Sequence, residues 1–381
     1  MHDADKLRTI GSRFAALAVL LPFLIGTLSA SAFAQGDPGW KTKWEATVAA
    51  AKKEGKVVVW GPGGTKMRKA QEAFEKEFPG IRVEFSGGRG TSEAAKLVAQ
   101  REGGLYQVDL FINGPTTANF NLKPSKALDP IDSALILPEV TDGKNWLGGK
   151  VEFSDTERRY NIVFFSQVQS ELIYNPKLVN PEDINTLDKL LDQKWKGKIT
   201  VNDPSVTGGG VPWFRRLWVE LGPEKAEAFY RKLATQMGPI TRDTRLQVEW
   251  VAHGKAALLI GPSTAAQQQF REKGVPLGEL NEFKGVGSIV GSSVGTVSLI
   301  NRAPNPNAAV VYINWLLSKS GQTAWQEAVN VPSRRLDVDK RDPLLAGSSP
   351  TSDKSYWPSY TEVNQTLTPR EAHVIKELFG R

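Results

Sequence analysis

The sequence predicts an α/β protein built as two lobes with a ligand cleft between them. Three observations predict it. Residues 56–114 read strand–helix–strand–helix–strand, an order that favours a parallel sheet covered by helices. A second strand–helix series runs from 199 to 261. Between the two lies "RRYNIVFFSQVQSELIYN" (158–175), a long stretch of strand-type composition suited to passing from one lobe to the other.

Each element has its own signal. "WKTKWEATVAAAKKEG" (40–55) has helical spacing and stops at Gly55. "KVVVWG" (56–61) is a short buried strand. In 65–80, Met67, Ala70, Phe74 and Phe78 recur on one helical face. "IRVEFSGG" (81–88) alternates as a strand, 91–104 is a helix opening on Thr91-Ser92-Glu93, and "VDLFING" (108–114) is a third strand. Further on, 187–198 reads as a short helix and 199–204 as a strand. Residues 211–222, 223–236 and 245–254 read as helices, and 255–261 as a strand. "SSVGTVSLINRAP" (292–304) alternates as a strand. A helix pair broken near Ser320-Gly321 covers 305–329, and 349–360 is polar and turn-rich. The closing helix, 368–380, has Thr368 as N-cap and Pro369 at its first position.

The chain has 381 residues, no Cys, 11 Trp and a formal net charge of +7. Without Cys there are no disulfides, thiolate metal sites or Cys nucleophiles. Lys6, Arg8 and Arg13 precede the apolar run 14–28, and "ASAFAQ" follows with Ala32 and Ala34 in A-x-A spacing. Residues 1–34 therefore read as a secretory signal peptide cut after Ala34, giving an exported product. The run is short for a bilayer span and contains Pro22, which argues against an uncleaved anchor. Cleavage removes three basic and two acidic residues and leaves +6. The remaining basic residues are scattered, so nucleic-acid binding is not indicated, while a small anionic ligand is compatible.

Five loops fall where strand ends would line a cleft: "GPGGT" (61–65), "SGGRGTS" (86–92), "NGPTT" (113–117), "NDPSVTGGG" (202–210) and "GPSTA" (261–265). All are rich in Gly, Ser or Thr and offer backbone N–H groups, several at helix starts, where anions are held. "NDPSVTGGG" lacks the Lys of a nucleotide-binding P-loop. Its alternatives are a backbone anion cradle or a flexible strand-to-helix turn. Arg89, Arg242, Arg245, Arg334 and Arg335 lie in or near polar loops, where an Arg fork suits a carboxylate or phosphonate. A solvated surface role is the alternative for each. Trp60 and Trp213 flank two of the loops, as pocket walls or as core.

"GSSVG" (291–295) matches G-x-S-x-G, with Ser293 as the notional nucleophile of a secreted serine hydrolase. The stretch after it alternates like a strand, whereas a nucleophile elbow runs from strand into helix. Beyond the leader only His253 and His373 remain, without zinc-site spacing. No catalysis, metal centre or cofactor is expected.

The order of the pieces "VVVWGPGG…AFEKEFPGIRVEF…VDLFING", "YNPKLV…LLDQKWKGKITVNDPSVTGGG", "VAHGKAALLIGPSTAA" and "GTVSLINRAPNPNAAVVYINWLLSKSGQ" resembles bacterial extracellular solute-binding proteins. Within them, it is similar to the ABC-importer branch that includes the ferric-ion binders. The resemblance covers most of 56–340. It implies a type II periplasmic-binding-protein fold, with two α/β lobes, two hinge crossovers and closure on the ligand. It also implies delivery to an ABC permease in the inner membrane. Ferric binders of this kind supply a His or Glu from the first loops and adjacent tyrosines after the "AALLI" strand. The matching positions here read "GPGGT", "NGPTT" and "GPSTA". Fe³⁺ is a hard cation that needs charged oxygen ligands. A small organic anion (carboxylate, phosphonate or phosphate ester) is therefore the expected ligand, with ferric iron plus a synergistic anion as the alternative.

The expected lobes are 40–165 with 290–340, and 166–289 with 341–381. The expected ligand contacts from the first lobe are Gly63, Gly64, Thr65, Arg89, Gly90, Thr91, Asn113, Gly114 and Thr116. From the second they are Thr207, Gly208, Gly209, Gly210, Trp213, Arg242, Ser263 and Thr264. Closure about segments near 162–168 and 287–294 brings "TGGG" over the ligand. A monomer is expected.

Overall fold

The computed structural model describes residues 39–64, 66–205 and 210–380. The expected leader (1–34), Thr65, Thr207, Gly208 and Gly209 lie outside the described residues.

The chain opens with α1 (Gly39–Glu54), β1 (Lys56–Pro62), α2 (Met67–Glu77), β2 (Arg82–Gly88), α3 (Gly90–Glu102) and β3 (Leu110–Asn113). The expected parallel order is present: β1 pairs in parallel with both β2 and β3. Gly55 (φ +75°) ends α1, a conformation that favours glycine. On α2, Met67, Ala70, Gln71 and Phe74 are buried, the spacing of one helical face. Asp109, fully buried, ties the sheet's lower end. Its carboxylate accepts the Val58 N–H at 2.7 Å, the Asn305 N–H at 2.7 Å and the Asn305 amide at 2.9 Å. Burial pushes its carboxyl above the usual range, against those bonds.

Next come α4 (Pro115–Thr117), β4 (Leu128–Asp129), α5 (Pro138–Thr141), β5 (Glu152–Phe153), β6 (Ile162–Val163), β7 (Gln167–Val168) and β8 (Leu172–Tyr174). The stretch 158–175 is thus three short strands rather than one, because each serves a different sheet. The second lobe adds β9 (Ile199–Val201), α6 (Gly210–Leu221), α7 (Pro223–Ala234), α8 (Thr244–Ala252), β10 (Leu258–Ile260), α9 (Thr264–Arg271) and β11 (Gly278–Leu280). Residues 188–195 form short 3₁₀ turns, not the expected helix. Then follow β12 (Ser288–Gly291), β13 (Thr296–Ile300), α10 (Pro306–Leu317) and α11 (Lys319–Val329). The break between the last two is at Ser318, whose hydroxyl caps α11 by accepting the Gly321 N–H at 3.2 Å. The chain ends with α12 (Pro343–Ser348), β14 (Tyr356–Pro358), α13 (Glu362–Gln365) and α14 (Pro369–Phe379). Thr368 and Glu371 form a capping box at the start of α14.

The described residues form three sheets. The first has the order β2-β1-β3-β13-β6-β5, with β4 also on β13. The second is β11-β8-β10-β9, in which β9 and β10 run parallel. Each has its own core, one around Phe74, Ile112, Phe164, Tyr312 and Trp325, the other around Leu172, Phe214, Leu258 and Phe379. Between them is a small sheet, β14-β12-β7. Its strands β7 and β12 are the two expected crossovers, paired through Val290↔Val168 and Gly291↔Gln167. The third strand, β14, lies parallel to β12 and was not legible in the polar stretch 349–360. Among the described residues no helix is long and apolar enough to cross a membrane.

Candidate ligand cleft

The first-lobe lip forms at the carboxyl ends of β1, β2 and β3. Strands β1 and β2 stay in register to Pro62↔Gly88, so the exposed Gly63 and Gly64 emerge beside Gly87 and Gly88. A Cβ on Gly87 would lie 3.1 Å from the Pro62 carbonyl, so glycine permits this close approach. Arg89 caps α3 with an extended backbone. Its carbonyl accepts the N–H groups of Ser92 and Glu93, both at 3.0 Å. Its exposed guanidinium has no hydrogen-bond or ion-pair partner among the described residues. The N–H groups of Gly90 and Thr91 are also unpaired there. Such a helix start, with an exposed cation beside it, favours an anionic oxygen.

Asn113 stands behind Gly90. It is 7% exposed, and a Cβ on Gly90 would come within 2.7 Å of its Oδ1. That oxygen accepts the Gly114 N–H at 3.0 Å, and Nδ2 is buried without a partner among the described residues. Gly114 touches the turn between β12 and β13: a Cβ there would lie 2.7 Å from the Ser293 carbonyl. In the same turn the Ser292 hydroxyl is buried and unpartnered. Thr116, half-buried on α4, completes this lip.

The second-lobe lip forms at the ends of β9 and β10. The Asn202 Oδ1 accepts the Gly210 N–H at 3.4 Å, and a Cβ on Gly210 would collide with the Asn202 carbonyl. Asp203 accepts from the Ser205 N–H and hydroxyl, at 2.9 and 2.6 Å, and from Arg242 Nε at 3.0 Å. Burial works against its ionisation, but these bonds win and hold the carboxyl below its usual range. Only Nε of Arg242 is engaged, and the rest of the exposed fork is open. The Ser263 hydroxyl caps α9, accepting the Ala266 N–H at 3.4 Å, and Thr264 is exposed beside it.

Several expectations give way to packing. Trp213 is 1% exposed and stacks among Phe214, Phe229 and Phe283, so its ring is core rather than a cleft wall. Trp60 is likewise buried with Ala94, Leu97 and Phe111, under the Lys96 ammonium. Arg334 is buried against Ser166, Tyr360 and the Leu147 carbonyl. Arg335 is buried against Asp337 and the Leu317 carbonyl. Both have structural partners. Ser293 sits in a strand–turn–strand, not at a strand-to-helix elbow, and His373 is exposed on α14. The two are not brought together.

Other groups went unnoticed in the sequence. Glu93, in the first turn of α3, lies over Gly88 with Oε2 buried and unpartnered. Its position three residues after Gly90 was the available signal. Behind the second lip, Arg216 on α6 grips Glu171 with Nη1 and Nη2 at 2.6 and 2.7 Å, and also donates to the Gly287 carbonyl. This pair ties the helix that follows the Gly-rich loop to the residues flanking both crossover strands. At the far side α13 packs on α4 and α6, and Glu362 accepts from Lys123 at 2.6 Å and from the Thr156 N–H at 2.9 Å. A cavity of about 450 Å³ beside the crossovers is walled by Gln167, Gln267, Asn281, Asn330 and Thr264. Among the described residues no three His, Asp or Glu side chains gather as a metal site.

A family model described as bacterial extracellular solute-binding protein matches residues 60–323. The chain belongs to this family. One curated relative is iron uptake protein A1 of Synechocystis sp., 26% identical over 166 residues. That match takes in 42% of this chain and 46% of the relative, so it spans about half of the relative's length. Among solved structures, Trichodesmium IdiA (FutA) in complex with iron and citrate superposes with a TM-score of 0.63 at 18% identity, covering 84% of this chain and 98% of that one. AfuA from Actinobacillus pleuropneumoniae, with fructose-6-phosphate bound, gives 0.59 at 17% identity, covering 85% and 98%. Iron-bound HitA from Pseudomonas aeruginosa gives 0.61 at 18%, covering 85% and 99%. At these identities the superpositions show the shared two-lobed fold.

Proposed function

We propose that this solute-binding protein is the periplasmic binding component of an ABC importer, capturing a small organic anion and passing it to an inner-membrane permease. The observation that carries the anion reading is the first-lobe lip. There, among the described residues, the Arg89 guanidinium, the Gly90 and Thr91 N–H groups and Asn113 Nδ2 are all donors without partners. Unpaired donors at a helix start favour a carboxylate, phosphonate or phosphate ester. The second lip adds the Gly210 end of α6, Arg242, Ser263 and Thr264. The lobes are assigned as 40–165 with 290–340 and 166–289 with 341–381. Capture begins at Arg89, and closure about β7 and β12 brings the Gly210 end of α6 toward the ligand. The protein has no catalytic role and acts as a monomer.

A second reading is ferric iron held with a synergistic anion. The relatives named above that carry iron favour it at least as strongly, and Glu93 offers one hard oxygen at the same lip. Calorimetry with a panel of metabolite acids, with and without Fe³⁺, separates the two. The anion reading expects heat from one acid alone. Binding of Fe³⁺ with no acid able to bind by itself would sink it. Arg89→Ala should weaken acid binding by about 1.5–3 kcal/mol, the worth of a charge-assisted hydrogen bond, or roughly 10- to 100-fold.

A further inference from the structure

We infer that Glu93 is a specificity-determining residue, selecting ligands in which a hydroxyl sits beside the anionic group. This rests on the reading of the first-lobe lip as an anion site. Among the described residues, two opposite kinds of unpartnered atom flank the start of α3. Asn113 Nδ2 and the Gly90 and Thr91 N–H groups are donors with nothing to donate to. Glu93 Oε2 is an acceptor, buried, with nothing to accept. A carboxylate in its ionised form can only accept, and a buried acceptor left empty is costly.

The placement of Glu93 is built into the fold. Gly88 has no side chain, and a Cβ there would lie 2.8 Å from Glu93 Cγ. Glycine at 88 therefore lets the Glu93 side chain fold back over the end of β2. A plain dicarboxylate satisfies the donors but leaves Oε2 empty and meets its charge. A ligand with a hydroxyl next to its carboxylate or phosphate satisfies both sets. The anionic oxygens take the Arg89, Gly90, Thr91 and Asn113 donors, and the hydroxyl hydrogen goes to Glu93. Hydroxycarboxylates and sugar phosphates have this pairing.

Two matched pairs of probes test it, citrate against tricarballylate and malate against succinate, each differing by one hydroxyl. Titration calorimetry on the whole exported chain should find the hydroxylated member of at least one pair bound about tenfold tighter or more, as a hydrogen bond to a charged group implies. Glu93→Ala should remove that preference while leaving the plain acid bound as well or better. Gly88→Ala should act the same way, because its methyl displaces only the flexible Glu93 side chain. Glu93→Gln keeps an acceptor and should retain part of the preference. Equal wild-type affinities within each pair, or a preference that survives both Glu93→Ala and Gly88→Ala, overturns the inference and leaves the anion reading standing. If none of the four acids binds while Fe³⁺ alone does, the anion reading falls and the inference with it.

Discussion

Replacing Arg216 tests how the second-lobe lip is held to the crossover strands. Arg216 and Glu171 are both fully buried. The guanidinium meets the carboxylate in a bidentate fork at 2.6 and 2.7 Å and also holds the Gly287 carbonyl. Burial pushes the Glu171 carboxyl upward, and the Arg216 guanidinium opposes that rise and favours the ionised form. Arg216→Met keeps most of the volume but leaves a buried carboxylate with no counter-charge. Breaking such a pair costs about 3–5 kcal/mol, whereas replacing both members by apolar residues is often close to neutral. The double variant Glu171→Met/Arg216→Met should therefore recover most of the loss, with a coupling of roughly 3 kcal/mol. Urea unfolding followed by Trp fluorescence gives each stability from its midpoint and slope. A single-variant loss below about 1 kcal/mol, the worth of a solvent-screened pair, would refute the reasoning. So would a double variant whose loss is the sum of its parts.

Gly210→Ala should destabilise the lip by about 1–3 kcal/mol, since the added methyl meets the Asn202 carbonyl, and ligand affinity should fall with it. Thermal unfolding with and without ligand reads both effects. Glu362 titrates below its usual 4.5: burial pushes it up, but Lys123 and the Thr156 N–H and hydroxyl pull it further down. A carboxyl depressed in this way stabilises the fold above about 4.5. That contribution disappears as pH falls through the folded value, so Glu362→Gln should flatten the acid side of a Tm-against-pH curve. An unchanged acid limb would show that the bridge from α13 to Lys123 carries no stability. Ester hydrolysis by the wild type should be no faster than by Ser293→Ala, and a wild-type turnover lost in that variant would restore the hydrolase reading.

Much of the fold was legible because it is local. The alternation of β-branched strands with amphipathic helices over 56–114 specifies a parallel sheet, and the observed register follows it. Segment 158–175 was harder, since its apolar residues serve three sheets and no period distinguishes them. Strand β14 was hidden in "SYWPSY" because its pairing with β12 depends on a partner far along the chain. The glycines at the carboxyl ends of β1, β2 and β3 were legible from their loops. Arg334, Arg335 and Trp213 were not separable from surface or cleft residues by type alone, because burial of an Arg or Trp is decided by what packs over it.

The sequence by itself determined the two α/β series, the Gly-rich strand ends, and the absence of cysteine chemistry. These are properties of residue type and spacing. Only the tertiary structure decided which polar atoms find partners. Among the described residues, Asn113 Nδ2 and Glu93 Oε2 are left unpaired on one lip, while Arg216 and Glu171 consume each other behind the other. Satisfaction of a hydrogen bond depends on distances between residues remote in the chain, and no local pattern encodes them.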